Sequence, residues 1–450
     1  MPRRSSPSTS PRSSSPPPPP APPATRSFQS NSAKPADPAL NSNPSKKPSR
    51  SLRATSKAAS PSATSSKTSS KPTLDPLAIH RDAINILDAK LVEILNQRAA
   101  HVIQVGRVKR EQGLPVYTPH RESQVLDRVL RSNPGPLPER ILEAIFREVM
   151  SGSMRMQQPV RVGYLGPQGS YSHQAASKHF GASADFVDLR TIQGVFTEVQ
   201  RGHVQCGLAP IENSTGGGIV ETLDALRDGA VGHGRGQGPP ITICAEVQLA
   251  VHHALLALTS PERVKKIYSK PEVFQQCQHW IATQYPRAEL IPTPSSSHAV
   301  QAVADESRAV LAKGGMPESA AIGSAMAGQL YGLDAIMPGI EDDPDNVTRF
   351  VVISRQEASR TGDDKTSVMF TTADKPGALV HVLQAFEHES INLTHIEKRP
   401  SGRRNWNYTF FIDAKGHKDD LGMQRALNEV SSHCREMVVL GSYPRSKRIL

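Results

Sequence analysis

From Ile79 onward, apolar positions recur every three or four residues. Ile84, Leu87, Leu91, Leu95, Val102 and Val105 mark one face of a long helix, and Arg98 and Lys109 fall on the same stripe. Arg81 stands three residues before Ile84 and joins it. The helix should stop near Gln112 and Gly113, ahead of Pro115. About 30 residues at ~1.5 Å each make a rod of roughly 45 Å. A small domain cannot cover that length alone, so an intertwined dimer is expected. A second helix begins near His120, with Arg121 and Glu122 in its first turn ahead of Val125 and Val129. A third opens at Pro138 and carries Leu142, Ile145, Val149, Ser153, Met156 and Gln157. Ser153 and Gln157 are polar groups on its inner face.

The pattern changes after residue 158. VRVGYLG (160–166) is an apolar run of strand length, GPQGSYS (166–172) is a turn, and SHQAASKHF starts an amphipathic helix. The hydroxyls of Ser170 and Ser172 thus sit at a helix N-terminus, a place suited to an anion. The same grammar returns in CGLAPIENSTGGGI, with a strand over 206–211 and Glu212, Asn213, Ser214 and Thr215 in the turn. RVKKIYSKPEVFQQC gives a strand ending at Ser269 and a helix carrying Gln276, and LIPTPSSSHAVQAV and AAIGSAMAGQLYGL repeat the unit. Polar residues at the C-termini of successive βα units place ligand groups in one crevice. The Gly-rich stretch AVGHGRGQGPP (230–240) lacks strand-to-helix context and reads as a surface loop. NVTRF (346–350) runs directly into the apolar VVIS. Thr348 beside Arg349, at the mouth of a strand, can hold an anion and hand it a hydrogen bond, although such a pair is more often structural.

Beyond residue 363 the order is strand (TSVMFTTA), turn (DKPG), helix (ALVHVLQAFEHE), two strands (INLTHIEKRP and NWNYTFFID) joined at Ser401 and Gly402, helix (LGMQRALNEVSSHC) and strand (MVVLGSY). This βαββαβ order in about 80 residues is the ferredoxin-like plan. The plan alone implies no function.

Charge alters the picture only at the N-terminus. The net charge is +11, but residues 1–73 hold 12 of the 53 Lys/Arg and one of the 42 Asp/Glu, which leaves 41 of each in the remainder. The basic excess therefore says nothing about what the folded part binds, and no nucleic-acid partner is expected. The tail is rich in Ser and Pro, has no apolar period and is expected to be disordered. It has some likeness to an organelle transit peptide, but its proline density argues against one. No run is long enough to span a bilayer. Cys206, Cys244, Cys277 and Cys434 lack C-x-x-C spacing and read as reduced thiols, which points to the cytoplasm. The 16 histidines form no ligand pattern, and His252-His253, inside an apolar run, read as core or edge imidazoles. Neither a metal nor a cofactor is expected.

Three cations in one apolar seam are costly unless they pair at the rim or converge on an anion. The run RDAINILDAKLVEILNQRAAHVIQVGRVKREQGLPVYTPHRE resembles the all-helical chorismate mutases. That resemblance implies a chorismate site in which Arg98, Lys109 and Arg121 are the cations and Arg81 reaches across from a second subunit. Glu122 would accept from the substrate hydroxyl, Ser153 would make a polar contact, and Gln157 would stand beside the ether oxygen. Thr118 stands where many relatives have Asp. The region 159–356 resembles prephenate dehydratase through GYLGPQGSYS, PIENSTGG, YSKPEVFQQC and NVTRF. This implies two α/β lobes like a periplasmic binding protein, a catalytic Thr348, and prephenate contacts from Ser170, Ser172, Glu212, Asn213, Ser269 and Gln276. Arg349 is expected to form a salt bridge, bind carboxylate, or do both. Lys270 replaces the usual His. The region 364–446 resembles the ACT domain. Gly377, Ala378, Leu379 and Val380 match one effector motif, and Glu397, Arg399 and Pro400 match the other, with Lys398 replacing a serine. Phenylalanine is the implied effector.

The expectation is therefore a multidomain chain: a tail (1–73), mutase helices (74–158), a dehydratase (159–356) and a regulatory α+β unit (364–446), acting on chorismate and prephenate as a homodimer or higher oligomer. Two other readings stay open, a prephenate or arogenate dehydratase with an impaired mutase and a non-catalytic ligand sensor.

Overall fold

The computed structural model describes residues 76–232, 240–400 and 408–450. The tail (1–73) lies outside the described residues, as do most of the loop expected over 230–240 and the strand joint at Ser401 and Gly402. Among the described residues no helix is long and apolar enough to cross a membrane.

Three helices come first: α1 (Pro76–Glu111), α2 (Pro119–Arg131) and α3 (Glu139–Gln157). The first ends where the sequence predicts, before Gly113 at φ 65°. Its 36 residues make a rod of about 54 Å. Its C-terminal half packs on α3 so closely that a Cβ at Gly106 would stand 2.9 Å from Gln157 Cγ. The N-terminal half is bare: Ile84, Leu87 and Leu91 are 55%, 61% and 53% exposed.

The first lobe contains β1 (Arg161–Leu165), α4 (Tyr171–Phe180), β2 (Asp185–Leu189), α5 (Ile192–Arg201), β3 (Cys206–Asn213), β4 (Gly217–Gly218), α6 (Val220–Gly232) and β5 (Thr242–Ala250). The chain then crosses to a second lobe: β6 (Ala254–Ala257), β7 (Lys266–Ser269), α7 (Pro271–Gln276), α8 (Gln278–Gln284), β8 (Glu289–Pro292), α9 (Ser296–Ala312), β9 (Ser319–Gly323), α10 (Ala325–Tyr331) and β10 (Asp334–Pro338). It returns through β11 (Val347–Ser354), which inserts antiparallel between β3 and β5. The two sheets run β2-β1-β3-β11-β5, with β4 on β3, and β10-β6-β9-β7-β8. Each lobe thus closes its own core, and the two crossovers, 251–253 and 339–346, form the hinge. The strand expected to stop at Ile211 runs on to Asn213, because β11 pairs Thr348 with Asn213 and Arg349 with Glu212.

The third unit is β12 (Asp364–Thr372), α11 (Ala378–His388), β13 (Leu393–Pro400), β14 (Tyr408–Lys415), α12 (Leu421–His433) and β15 (Cys434–Pro444), with sheet order β13-β14-β12-β15. This is the ferredoxin-like plan. Helices cover one sheet face over Val368, Phe370 and Ile412. The other face sends Met369, Phe411, Leu440 and Tyr443 into the core of the first lobe. Gly441 is required there, since a Cβ would stand 2.1 Å from the Ile243 carbonyl oxygen. After β15 the last residues run back along the edge of β5, where Leu450 N donates to Gln248 O at 2.8 Å and Leu450 O accepts from Ala250 N at 3.1 Å.

Candidate active sites

The helical seam holds half-buried cations without counter-charges. Arg98 and Lys109 lie three turns apart on α1, and neither has a carboxylate within ion-pair distance among the described residues. Arg98 Nη1 donates to Ser153 Oγ at 2.5 Å, and Ser153 Oγ donates to the Val149 carbonyl at 2.6 Å. Lys109 Nζ donates to the Val116 carbonyl at 3.0 Å. Burial lowers both pKa values; for Lys109 the Glu122 carboxylate works against it. Burial also pushes the Glu122 carboxyl up to about 7, against the pull of Arg147 and Lys109. Gln157 Oε1 is buried without a hydrogen-bond partner, a rarity that needs a reason. The pairing with carboxylates that a purely structural role demands is missing, so Arg98 and Lys109 suit an anion, while the Gln157 oxygen calls for a donor. Arg121 and Arg81 are exposed. Arg81 is 17 residues before Arg98, about 25 Å along the axis, so one chain cannot bring both to one small ligand.

Between the lobes, one hydrogen-bonded line joins all four sequence motifs. Asn213 Nδ2 donates to Thr348 Oγ1 at 2.9 Å and to Asn346 Oδ1 at 2.8 Å. Thr215 Oγ1 donates to Asn213 Oδ1 at 2.7 Å and accepts from Gln276 Nε2 at 3.4 Å. Gln276 Oε1 lies 2.8 Å from His253 Nε2, and His253 Nδ1 lies 2.6 Å from Tyr171 Oη. The line therefore crosses from the first lobe to the second through the hinge. Burial lowers the His253 pKa, so the imidazole serves as a neutral bridge. Glu341 fixes the hinge from the second crossover, accepting from His253 N at 2.8 Å. Ser170 caps α4, accepting from His173 N at 3.2 Å while donating to Leu165 O at 3.0 Å, and Ser172 is buried beside it. Ser269, expected at the substrate, is fully buried and donates to the Ile322 carbonyl at 2.8 Å, because β7 lies inside its sheet against β9.

Successive residues of a strand face opposite sides of the sheet. Thr348 and its partner Asn213 face the crevice; Arg349 and its partner Glu212 face the third unit. Arg349 is 8% exposed and lies among carboxylates: Nε donates to Glu246 at 2.9 Å, Nη2 pairs with Asp413 at 2.6 Å, and Nη1 lies 3.5 Å from Glu212. Nη2 also donates to Tyr443 Oη at 3.1 Å. Burial lowers its pKa, but Tyr443, Asp413 and Glu246 outweigh that and leave it raised. Of its two expected roles, the salt bridge is the one in the geometry. The effector motifs lie on the third unit. Gly377 takes φ 79° ahead of α11, Ala378 is buried beneath it, Leu379 is partly buried, and Val380 is 54% exposed. On β13, Glu397 abuts Gly218, and Arg399 donates to Asp224 on α6 at 3.2 Å. Pro400 O accepts from Arg227 at 3.1 Å. Lys398 faces the other way, 5.2 Å from the Tyr408 ring centroid.

Comparison with known proteins matches residues 80–158 to the chorismate mutase type II family, 162–358 to prephenate dehydratase and 366–432 to the ACT domain. A bifunctional chorismate mutase/prephenate dehydratase of Stutzerimonas stutzeri is 38% identical over 379 residues, covering 83% of this chain and 98% of the relative. The chain belongs to the bifunctional chorismate mutase/prephenate dehydratases. The Pseudomonas aeruginosa enzyme of the same name is also 38% identical, with the same coverage. A solved prephenate dehydratase from Arthrobacter aurescens, in complex with L-Phe, is 30% identical with a TM-score of 0.56, covering 64% of this chain and 90% of that one.

Within this bifunctional enzyme, the residues expected at the dehydratase site divide. Thr348, Asn213 and Gln276 come together; Glu212 and Arg349 occupy the opposite sheet face; Ser269 is internal. Sequence reasoning missed Thr215, Tyr171 and His253. A polar His-His pair between two strand-length apolar runs was the available signal, because it marks the lobe crossover.

Proposed function

We propose that the helices bind chorismate and rearrange it to prephenate, and that the crevice converts prephenate to phenylpyruvate. A pericyclic rearrangement needs no nucleophile, only a folded substrate and stabilised charge on the breaking ether oxygen. Desolvated Arg98 and Lys109 supply fixed cations, with Gln157 and Ser153 on the facing helix. Arg121 completes the cationic set and Glu122 accepts from the substrate hydroxyl. Arg81 serves the equivalent site of a second copy, and the bare apolar stripe of α1 supports a dimer that buries it.

In the crevice, the bond from the ring to its carboxylate breaks and carbon dioxide leaves. The electron pair enters the ring, the carbon–oxygen bond breaks, and hydroxide departs with a proton as water. The observation that carries this assignment is the Asn213–Thr348 contact. Because Thr348 Oγ1 accepts from the Asn213 amide, its own proton is free to point at the departing oxygen. Ser170 and Ser172, at the start of α4, and Gln276 line the same crevice as prephenate contacts. Phenylalanine acts on the ACT unit through Gly377, Ala378, Leu379, Val380, Glu397, Arg399 and Pro400. Lys398 extends from the opposite face of β13, which favours a working response despite the lost serine. All four cysteines are free, in keeping with a cytoplasmic enzyme.

The test feeds purified protein chorismate and follows prephenate and phenylpyruvate together. Both products should appear, and added phenylalanine should slow the second step. Failure to consume either substrate overturns the assignment in favour of a binding protein. Release of phenylpyruvate from prephenate with chorismate untouched would leave a dehydratase with an impaired mutase.

A further inference from the structure

The dehydratase motif on β3 and β4 has a second set of neighbours, none of them in the crevice. Two alternate residues of β13 point at it, and the next alternate residue reaches α6, which follows the motif in the chain. His395 Nδ1 stands 3.4 Å from Glu212 Oε2. Glu397 lies against Gly218, 3.1 Å from where a Cβ would be. Arg399 bonds Asp224 at 3.2 Å. Glu212 lies within the PIENSTGG segment, Gly218 follows it directly and Asp224 stands on α6 just beyond, and Asn213 of that segment holds Thr348. The burial of β13 alternates accordingly, with His395, Glu397 and Arg399 covered and Ile396 and Lys398 exposed.

We propose that His395, although it belongs to the ACT unit, is a positioning residue for the dehydratase reaction: with Arg349 it fixes Glu212, and through Glu212 it sets the β3–β4 hairpin at which Asn213 meets Thr348. This rests on the assignment of the crevice as the dehydratase site and extends it to regulation. Glu397 and Arg399 belong to an expected effector motif and share a strand face with His395. An effector that draws on those two residues moves the strand that holds Glu212, so the sensor has a direct mechanical route to the active site.

The groups facing Glu212 are the Arg349 guanidinium on β11, at 3.5 Å, and the His395 imidazole on β13. Behind them stand Asp413 on β14, Glu246 on β5, Lys365 on β12, which pairs with Glu246 at 2.8 Å, and the Tyr443 phenol on β15. In this setting the bond to His395 is the largest influence holding the Glu212 carboxyl below its ordinary range, with burial opposing and Arg349 assisting. A group whose pKa is depressed loses its charge as pH falls through that pKa. Without His395 the loss begins at higher pH.

The experiment uses the full chain and three variants, His395→Ala, His395→Asn and Thr348→Ala. In each, dehydratase rate against pH, phenylalanine inhibition, and mutase rate as an internal control are measured. Asparagine puts an amide nitrogen near the position of Nδ1, so it should restore the contact. His395→Ala is expected to lower dehydratase kcat about tenfold, the scale of one hydrogen bond to a charged group. It should also move the acidic limb of the pH profile toward neutrality, weaken phenylalanine inhibition and leave the mutase rate unchanged. His395→Asn should recover most of the rate. A His395→Ala enzyme with the wild-type pH profile and inhibition overturns the proposal, and so does an Asn variant as poor as Ala while mutase activity is intact. If alanine costs the fold, seen as lost mutase activity, the Asn variant decides alone: wild-type-like profile and inhibition support the proposal and their loss overturns it. Thr348→Ala separates the two levels. Retained dehydratase activity there refutes the crevice assignment itself, whereas a dead Thr348 variant beside a normal His395→Ala refutes only the positioning role.

Discussion

The helical seam and the inter-lobe crevice, the two sites proposed for anionic substrates, arrange their polar groups by opposite means. In the seam, Arg98 and Lys109 are desolvated without carboxylate partners, Gln157 Oε1 is unsatisfied, and the apolar stripe of α1 is exposed. In the crevice, Thr348, Asn213, Thr215, Gln276, His253 and Tyr171 already bond one another, and the cation next to Thr348 is neutralised on the far side of its sheet. The first site carries its strain as unpaired charge, which suits a reaction that needs only electrostatic clamping. The second carries a prearranged donor line, which suits a reaction in which one hydroxyl must leave. Exposure differs in the same sense: the donor line of the crevice is closed within one chain, whereas the apolar stripe of α1 is left bare.

The sharpest test of this contrast is Thr348→Ala. Loss of one donor aimed at developing charge costs about 10²- to 10³-fold in kcat. Prephenate made from chorismate should then accumulate, while the mutase rate holds. Arg98→Ala should do the converse, slowing the mutase about 10²-fold and sparing the turnover of added prephenate. If either substitution impairs both reactions equally, the two sites are not separate and the comparison fails.

Arg349 ranks next, and its effect should appear first in stability. Arg349→Met leaves Glu246 and Asp413 facing each other with only Lys365 for compensation. Breaking a buried ion pair in this way costs about 3–5 kcal/mol. Thermal unfolding should reveal that as a marked fall in Tm. A variant of unchanged Tm whose only defect is a raised KM for prephenate would return Arg349 to the substrate.

Much of this layout was legible in the sequence, for reasons that differ by region. The long helix could be read because Ile84 to Val105 keep one period and Gly113 and Pro115 end it. Three strand-end motifs point to the crevice because βα units deliver their C-termini to one side, and NVTRF joins them from the N-terminal end of the antiparallel β11. The face on which each motif residue lands was not legible. Glu212 and Asn213 are adjacent, as are Thr348 and Arg349, and only the antiparallel register of β11 on β3 decides which of each pair sees the crevice. Ser269 shows the same limit, since its hydroxyl answers to a neighbouring strand 53 residues away. The short β2, with its acidic residues, gave no clear period, and the return of the C-terminus along β5 had no local signature at all.

Glu122 provides a finer probe of the seam. Its carboxyl is pushed up to about 7 by burial, above the ordinary value near 4.5. In the role proposed for it, the ionised carboxylate is the stronger acceptor for the substrate hydroxyl, so mutase activity should rise as pH increases through about 7, and Glu122→Gln should flatten that limb. The stability effect has the opposite slope. Between the ordinary value and about 7 the folded state binds more protons than the unfolded, so this group makes stability fall as pH rises. A wild-type mutase profile that is flat from pH 6 to 8, a range chosen to bracket that midpoint, would deny Glu122 the role.

The smallest effect concerns how the seam is tied to the rest of the chain. After β15, Arg445 pairs with Asp363 at 2.9 Å, Lys447 reaches Asp127 on α2 at 3.0 Å, and Arg448 pairs with Glu143 and Glu139 on α3. Ser446 N donates to Glu246 at 2.8 Å, and Leu450 continues along the edge of β5. One short segment thus joins the ACT unit, the dehydratase sheet and the mutase helices. Exposed ion pairs contribute only about 0–1 kcal/mol each, so deleting Lys447–Leu450 should lower Tm by no more than a few degrees. None of the deleted residues belongs to either site, so both rates should stay within about twofold of wild type, too small a change to register as a lost contact. What should change is cooperativity. The helices, held to the dehydratase by α3, by Tyr117 buried against Phe180 in the first lobe's core and by this strap, should melt ahead of the lobes, and calorimetry should resolve two transitions where the full chain gives one. A single unshifted transition would mean that the packing of α3 on the first lobe suffices, and that the seam is less dependent on its neighbours than the exposed stripe of α1 implies.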